Sequence, residues 1–382
     1  MMRVLAATTA GAGHLGPMLP FAHALRDAGH EVVVTAPASF AAAVERAGFE
    51  HRPFADADPE AMGRIFATLP GLPPEEASVV VARDVFGRLD AQAALPGVEA
   101  IVDDWHPDLI IRDPSEFASV AVAEARGIPH VRIGIGLYGF EDSFLSVLDE
   151  PLLELSCADG VARMRAAPRL TLLPESFEDP AAVGPASMRR FRDNAAAVAH
   201  DPLPDWWVGS SDPLVYITFG SVAANLPFLA GLYEEVVAAV AERPMRVLLT
   251  TGEGADLDGL GTLPPNVHVE RWWPQQQVMA HASAMVGHGG FGTTYLGLAA
   301  GMPMVVVPLF ADQPHNARRV AEVGAGIALE GGVAAIAGGL GPAIEGVLGE
   351  PSFRTEAERM AADIGALAPV ADSVPVMEAL AR

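Results

Sequence analysis

Short, nearly continuous apolar runs alternate along this chain with longer segments whose apolar positions recur at helical spacing. Runs apolar on both faces mark parallel strands covered by helices on either side. In the first half, residues 3–9, 31–35, 108–112, 130–134 and, as the last of them, 169–173 predict strands, with a weaker one at 49–54. Helices are expected at 17–28, 40–47 and 116–126, the first two stopped by Gly29 and Gly48. Residues 55–96 combine prolines with scattered acids and predict loops and irregular helix, the material of a variable pocket wall; 138–165 also predicts irregular helix. Periodicity fades between 180 and 212, and then the pattern restarts. Strands are expected at 214–219, 246–251, 267–272, 284–286, 304–307 and 326–329, with helices at 227–242, 353–366 and 374–380. Strand–helix alternation run twice predicts an α/β chain of two parallel-sheet domains. The first covers 1–200, a linker 201–212, and the second 213–382, with terminal helices returning to the first.

A length of 382 residues suits two domains. The formal net charge of -24 argues against nucleic acid or an anionic membrane as partner, because both require a basic face. A small anionic ligand held by local donors stays compatible with it. Cys157 is the one cysteine, which excludes an internal disulfide and a thiolate metal cluster. No run approaches the roughly 20 apolar residues of a membrane span. Gly11, Gly13, Gly16 and Pro17 interrupt the run after Arg3 too early for a signal peptide, so a cytoplasmic location is expected.

Chemistry concentrates where strands give way to glycines. The run at 284–286 is followed by Gly287-His288-Gly289-Gly290-Phe291-Gly292-Thr293, and helical character resumes at Tyr295. A strand, a glycine turn and a helix N-terminus make an anion site, with N–H groups and the positive end of the helix dipole turned outward. Gly289, Gly290 and Gly292 would let phosphates approach the backbone, while His288 and Thr293 would add donors. A glycine turn that binds nothing suits an isolated glycine pair better than this combination.

The first half carries Gly11-Ala12-Gly13-His14-Leu15-Gly16 after its first strand, a literal G-x-G-x-x-G expected as a loop. A dinucleotide fingerprint would add an acid about 20 residues later. Thr35-Ala36-Pro37 stands there instead, and the next acid in that stretch is Glu45. His14 is better placed for proton transfer at a strand's carboxyl end, and Asp113 ends another strand of the same half. Together they would serve as base and orienting acid. The plain alternatives are a histidine at the start of its own helix and a loop acid before Pro114. Asp56/Asp58 and Asp256/Asp258 form D-x-D pairs of the kind that hold divalent metal, but turn-forming neighbours make them read as solvated loops. His281 and His288 lack metal-ligand spacing, so no metal site is expected.

Taken in chain order, Thr9 to His14 with Pro17, Trp272-Trp273-Pro274-Gln275, His288 to Thr293 and Pro308 to Gln313 resemble the signature of family-1 glycosyltransferases of the GT-B fold. The resemblance spans the chain and is strongest to bacterial enzymes that attach deoxysugars to antibiotics and other secondary metabolites. It implies two Rossmann-like parallel-sheet domains with a cleft between them. Trp272 would stack on the donor's base, with Trp273 beside it offering a second register, and Gln275 would reach the ribose. Ser221, His288, Gly290, Gly292 and Thr293 would hold the pyrophosphate, and Asp312 and Gln313 would bond sugar hydroxyls. His14 would be the general base and Asp113 its orienting partner. The implied partners are a nucleotide sugar and a small apolar acceptor, with no cofactor, no nucleic acid and no membrane span; a homodimer is compatible. Relatives that use UDP-sugars carry a glutamate eight residues after the histidine, where this chain has Leu296. That points to a TDP-sugar and to metal-independent, inverting transfer to a hydroxyl. Three rivals stay open: a sugar-nucleotide epimerase of the same architecture, a dinucleotide-dependent oxidoreductase, and a catalytically inactive scaffold homologue.

Overall fold

A computed structural model describes residues 1–193, 202–221, 223–226 and 229–382, without the side chain of Asn225. The chain divides into two compact units. Unit 1 joins Met1–Leu173, Glu178–Asp193 and Ala368–Arg382, and unit 2 joins Pro174–Phe177 and Asn194–Leu367.

Unit 1 is built on β1 (Arg3–Ala7), β2 (Glu31–Pro37), β3 (Glu50–Phe54), β4 (Leu109–Arg112), β5 (His130–Ile133), β6 (Arg169–Thr171) and β7 (Arg189–Arg192). Unit 2 contributes β8 (Leu214–Thr218), β9 (Arg246–Thr250), β10 (Val267–Glu270), β11 (Ala284–Gly287), β12 (Met304–Val306) and β13 (Gly326–Ala328), and β14 (Ala368–Pro369) returns to unit 1. The first sheet has the order β14-β7-β6-β5-β4-β1-β2-β3 and the second β10-β9-β8-β11-β12-β13. Every strand pairing is parallel.

In each sheet the first strand is central, with chain neighbours on opposite sides: β1 lies between β2 and β4, and β8 between β9 and β11. Helices leaving such a pair go to opposite faces, which opens a crevice at the strands' carboxyl ends. The turns that follow β1, β4, β8 and β11 are the ones the sequence singled out. Leu5, Ile110, Ile217 and Val286 within these strands are fully buried, so the crevice walls stand on rigid core. Among the described residues no single helix is long and apolar enough to cross a membrane.

Several expectations are corrected. Residues 11–16 are not a loop: the helix Ala12–Asp27 starts there, and only Gly11, with φ 142°, makes the turn. Gly13 and Gly16 lie within this helix, and a Cβ on either would meet nothing within 4 Å. The helix expected at 295–300 likewise starts early, as Phe291–Ala299, which puts Gly292 and Thr293 in its first turn. Residues 55–96 lead into a long helix, Ala91–Trp105, whose Pro96 and Gly97 hid it. Gly97 is there because a Cβ would lie 2.8 Å from the Cβ of Phe54 on β3. β6 is not the last strand of the first half; β7 and β14 extend the sheet. The Arg-rich β7 buries only Phe191 of its four residues, which conceals it from an apolar pattern. The helix expected at 227–242 is observed as Leu232–Val240, and its expected start, Pro227, lies outside the described residues, as does Asp201 at the head of the expected linker. The helices Gln313–Glu322 and Val333–Gly349 were not anticipated.

Candidate active site

In unit 1, β1 and β4 are neighbours with Ala7 opposite Arg112, so the residues that follow each strand meet. The Asp113 amide donates to Ala7 O at 3.1 Å, and the Thr9 amide donates to Asp113 Oδ2 at 2.8 Å. Oδ1 accepts from the Ser115 amide at 2.6 Å and faces His14 Nδ1 at 3.3 Å. The Asp113 side chain is fully buried, whereas His14 keeps 21% of its side chain exposed. Burial works to raise the Asp113 carboxyl, but the charge and hydrogen bond of His14 and the Thr9 and Ser115 amides outweigh it and hold it below its ordinary value. An ionised Asp113 accepts from Nδ1–H, and that fixes the tautomer in which Nε2 carries the lone pair. Phe86 packs against the ring at 5.4 Å between centroids. A buried carboxylate at the glycine turn also repels pyrophosphate, which tells against a dinucleotide there.

In unit 2, β11 pairs with β8 so that Gly287 lies opposite Thr218, and the two following turns adjoin. His288 sits in a seat made by two glycines. A Cβ on Gly220 would come within 3.0 Å of His288 Cε1, and one on Gly290 within 2.4 Å of Nε2. Burial lowers its pKa to about 4, so the ring is neutral near pH 7 and offers one N–H. Nδ1 is buried without a hydrogen-bond partner among the described residues, at the N-terminus of the helix Phe291–Ala299. The glycines of this turn have different reasons. Gly289 (φ 86°) is constrained by Val306 Cγ1 and Gln313 O, which a Cβ would approach to 2.8 and 3.0 Å. A Cβ on Gly292 would meet nothing within 4 Å, so its backbone opens on free space, with half-buried Thr293 next to it.

The loop before Gln313–Glu322 is tied to this turn. Asn316, missed in the sequence, donates to Gly289 O at 2.8 Å and to Asp312 Oδ2 at 2.7 Å while almost fully buried. Its spacing of four from Asp312 at a helix opening was the available signal. Gln313 Oε1 accepts from the Leu309 and Phe310 amides at 2.9 and 3.0 Å, so its carbonyl end secures the loop. Ala311 has φ 55°, left-handed backbone that costs a non-glycine residue about 1–2 kcal/mol. Strain of this kind gathers at ligand sites.

Ser221 is exposed in the turn after Gly220. Trp272 is 69% exposed, whereas Trp273 is built into the wall. The indole of Trp273 donates to Gln277 Oε1 at 3.0 Å and meets Trp206 edge-on at 5.0 Å. Gln275 opens the helix Gln275–Met279 near Tyr216, whose hydroxyl lies 3.0 Å from Thr250 Oγ1. Three of the four D-x-D acids are engaged locally. Asp56 accepts from the Ser39 amide and hydroxyl, Asp58 from the Glu60 amide at 3.0 Å, and Asp256 from the Asp258 and Gly259 amides at 3.1 and 3.2 Å. His14 and Asp113 thus belong to unit 1 and the other predicted site residues to unit 2.

Two family models match the chain: the N-terminal domain of the erythromycin biosynthesis protein CIII-like family over residues 77–220, and its C-terminal domain over residues 234–380. L-demethylnoviosyl transferase of Streptomyces niveus is 34% identical over 337 residues, covering 86% of this chain and 85% of its own. Elloramycin glycosyltransferase ElmGT of Streptomyces olivaceus is 33% identical over 387 residues, covering 97% and 95%. Among solved structures, glycosyltransferase VinC in complex with dTDP matches with a TM-score of 0.73 at 27% identity, over 100% of this chain and 99% of that one. CalG4, the calicheamicin glycosyltransferase, matches with a TM-score of 0.77 at 25% identity, over 100% and 98%. With two parallel-sheet units of the GT-B fold and relatives of this kind along its length, the chain belongs to the family-1 glycosyltransferases of antibiotic and secondary-metabolite biosynthesis.

Proposed function

We propose that this glycosyltransferase moves a deoxysugar from a TDP-sugar to a hydroxyl of a small apolar acceptor, with inversion and without a metal ion. The observation that carries the reading is the fully buried Asp113 turned on Nδ1 of His14. His14 Nε2 takes the acceptor's proton as its oxygen attacks the anomeric carbon, and Asp113 stabilises the imidazolium that forms. The nucleoside diphosphate leaves with its charge held by the neutral His288, by Thr293, and by the amides and dipole at the start of Phe291–Ala299. Ser221 assists from the neighbouring turn. Trp272 offers its exposed face to the base, and Gln275 reaches toward the ribose. Asp312, positioned by Asn316, and the amide nitrogen of Gln313 bond the sugar hydroxyls.

The donor assignment is supported by Leu296, half-buried on the same helix, where a carboxylate would otherwise accept from both ribose hydroxyls. It is also supported by the dTDP held by the related VinC. TDP should therefore bind more tightly than UDP. Leu296→Glu should narrow the gap, because the new carboxylate can accept from two hydroxyls of ribose and only one of deoxyribose, each worth about 1.5–3 kcal/mol. Trp272→Ala should weaken both nucleotides by about tenfold or more, since base–aromatic stacking is worth roughly 1–3 kcal/mol. Calorimetric titration of TDP and UDP into the three proteins in the presence of a chelator tests these statements. Tighter binding of UDP by the wild type would remove the donor assignment, and turnover that fails under chelation would remove the metal-free mechanism.

A further inference from the structure

The pocket beside His14 holds a carboxyl that the mechanism above does not use. A π-helical run, Val81–Asp90, joins the helix Pro74–Val80 to Ala91–Trp105. Such turns are rare and recur at functional sites. This one sets Phe86 against the His14 ring and brings Asp90 to the lining of the same pocket. The pocket is narrow, with about 10 Å³ of free space, room for one hydroxyl-sized group, and is walled mainly by Pro37, Phe54, Ala57, Phe86, Ala94 and Phe117. Its polar lining is Thr9, Asp90, Ser115 and Glu116, with no lysine or arginine. Glu116 is already committed, accepting from the Ser119 amide at 3.0 and 3.2 Å. No hydrogen bond or ion pair to Asp90 is formed among the described residues. Burial raises its pKa to about 6, against His14 and with Asp113 and Asp56 adding to the rise.

We propose that Asp90 selects the acceptor, accepting a hydrogen bond from a second hydroxyl beside the one His14 deprotonates and turning away acceptors that carry a carboxylate there. The proposal rests on the reading that the acceptor lies at His14. Asp90 is half-buried, and a partly desolvated carboxylate without a donor gains from a ligand hydroxyl. A site built this way rejects the analogue that lacks the hydroxyl, because its own polar group is then left unpaired. A ligand carboxylate there would be repelled by Asp90, with Asp56 and Asp113 adding to the negative charge.

Three naphthalenes of one frame read the preference: 2,3-dihydroxynaphthalene, 2-naphthol and 3-hydroxy-2-naphthoate. They are titrated by their own fluorescence at pH 8, where Asp90 is ionised. The wild type should bind the diol about tenfold or more tighter than 2-naphthol, and the naphthoate weakest. Asp90→Leu should bring diol and 2-naphthol to within about twofold and restore naphthoate binding, with Asp90→Asn intermediate. A wild type that does not prefer the diol, or an Asp90→Leu protein that keeps the preference, overturns the proposal. The wild-type series decides alone if neither variant folds. TDP titrated in parallel separates the two readings. A wild type that binds TDP yet ranks the naphthalenes equally loses only the role of Asp90, whereas one that binds no TDP loses the donor assignment.

Discussion

His14→Ala should slow sugar transfer by about 10²–10⁴-fold, the usual worth of a general base, while TDP affinity stays within about twofold of the wild type. The split follows from where the residue sits. His14 lies in unit 1 on the first turn of Ala12–Asp27, and the proposed nucleotide contacts lie in unit 2. Removing the imidazole takes away the proposed proton acceptor but none of those contacts. Fold damage should be small, because the side chain is partly exposed and Gly11, not His14, makes the turn into the helix. Single-turnover rates with saturating TDP-sugar, beside a TDP titration, check both halves. Near-normal turnover would remove His14 from the mechanism, and lost TDP binding would show that the substitution acts beyond the acceptor.

Asp113→Asn should carry the second largest effect, slowing turnover by about 10²-fold or more and lowering the melting temperature. Three donors converge on this carboxylate: the amides of Thr9 and Ser115, and Nδ1–H of His14. A carboxylate accepts on both oxygens, but asparagine has one acceptor oxygen and places an NH₂ on the other side. If that oxygen faces Ser115 and His14, the NH₂ meets the Thr9 amide head-on. If it faces Thr9, the other two donors are left unpaired and His14 is driven toward the opposite tautomer. Each buried donor left unpaired costs about 1–3 kcal/mol, so stability and turnover should fall together. Scanning calorimetry beside the single-turnover rate checks this. Full activity with an unchanged melting temperature would mean that Asp113 neither orients His14 nor holds the turn after β1.

The sequence made the carboxyl ends of the central strands legible because parallel strands are apolar on both faces, and their ends are marked by glycine and polar residues. That logic picked out His14, Asp113 and His288 and the turns they occupy. It did not show where helices begin. Gly11 to Gly16 and Gly290 to Thr293 read as loops because glycine lowers helix propensity, yet tertiary packing holds all but the first residue of each run in helical turns. Nor did it show β7, whose arginines mask its single buried phenylalanine. Asn316 and the carbonyl of Gln313 were hidden for another reason. Their work is to tie one loop to another, and a linear pattern does not record which loops are adjacent. Asp90 escaped notice because only the π-helical run brings it to the His14 pocket.

One incubation followed by NMR reads donor, acceptor and stereochemistry together: the chain, a TDP-deoxysugar and chelator, with and without a flat hydroxylated acceptor such as 2,3-dihydroxynaphthalene. TDP should be released only when the acceptor is present, and the glycoside should carry the anomeric configuration opposite to that of the donor. Conversion of the sugar nucleotide without acceptor, or a product that retains the donor's configuration, would contradict the proposed inverting transfer.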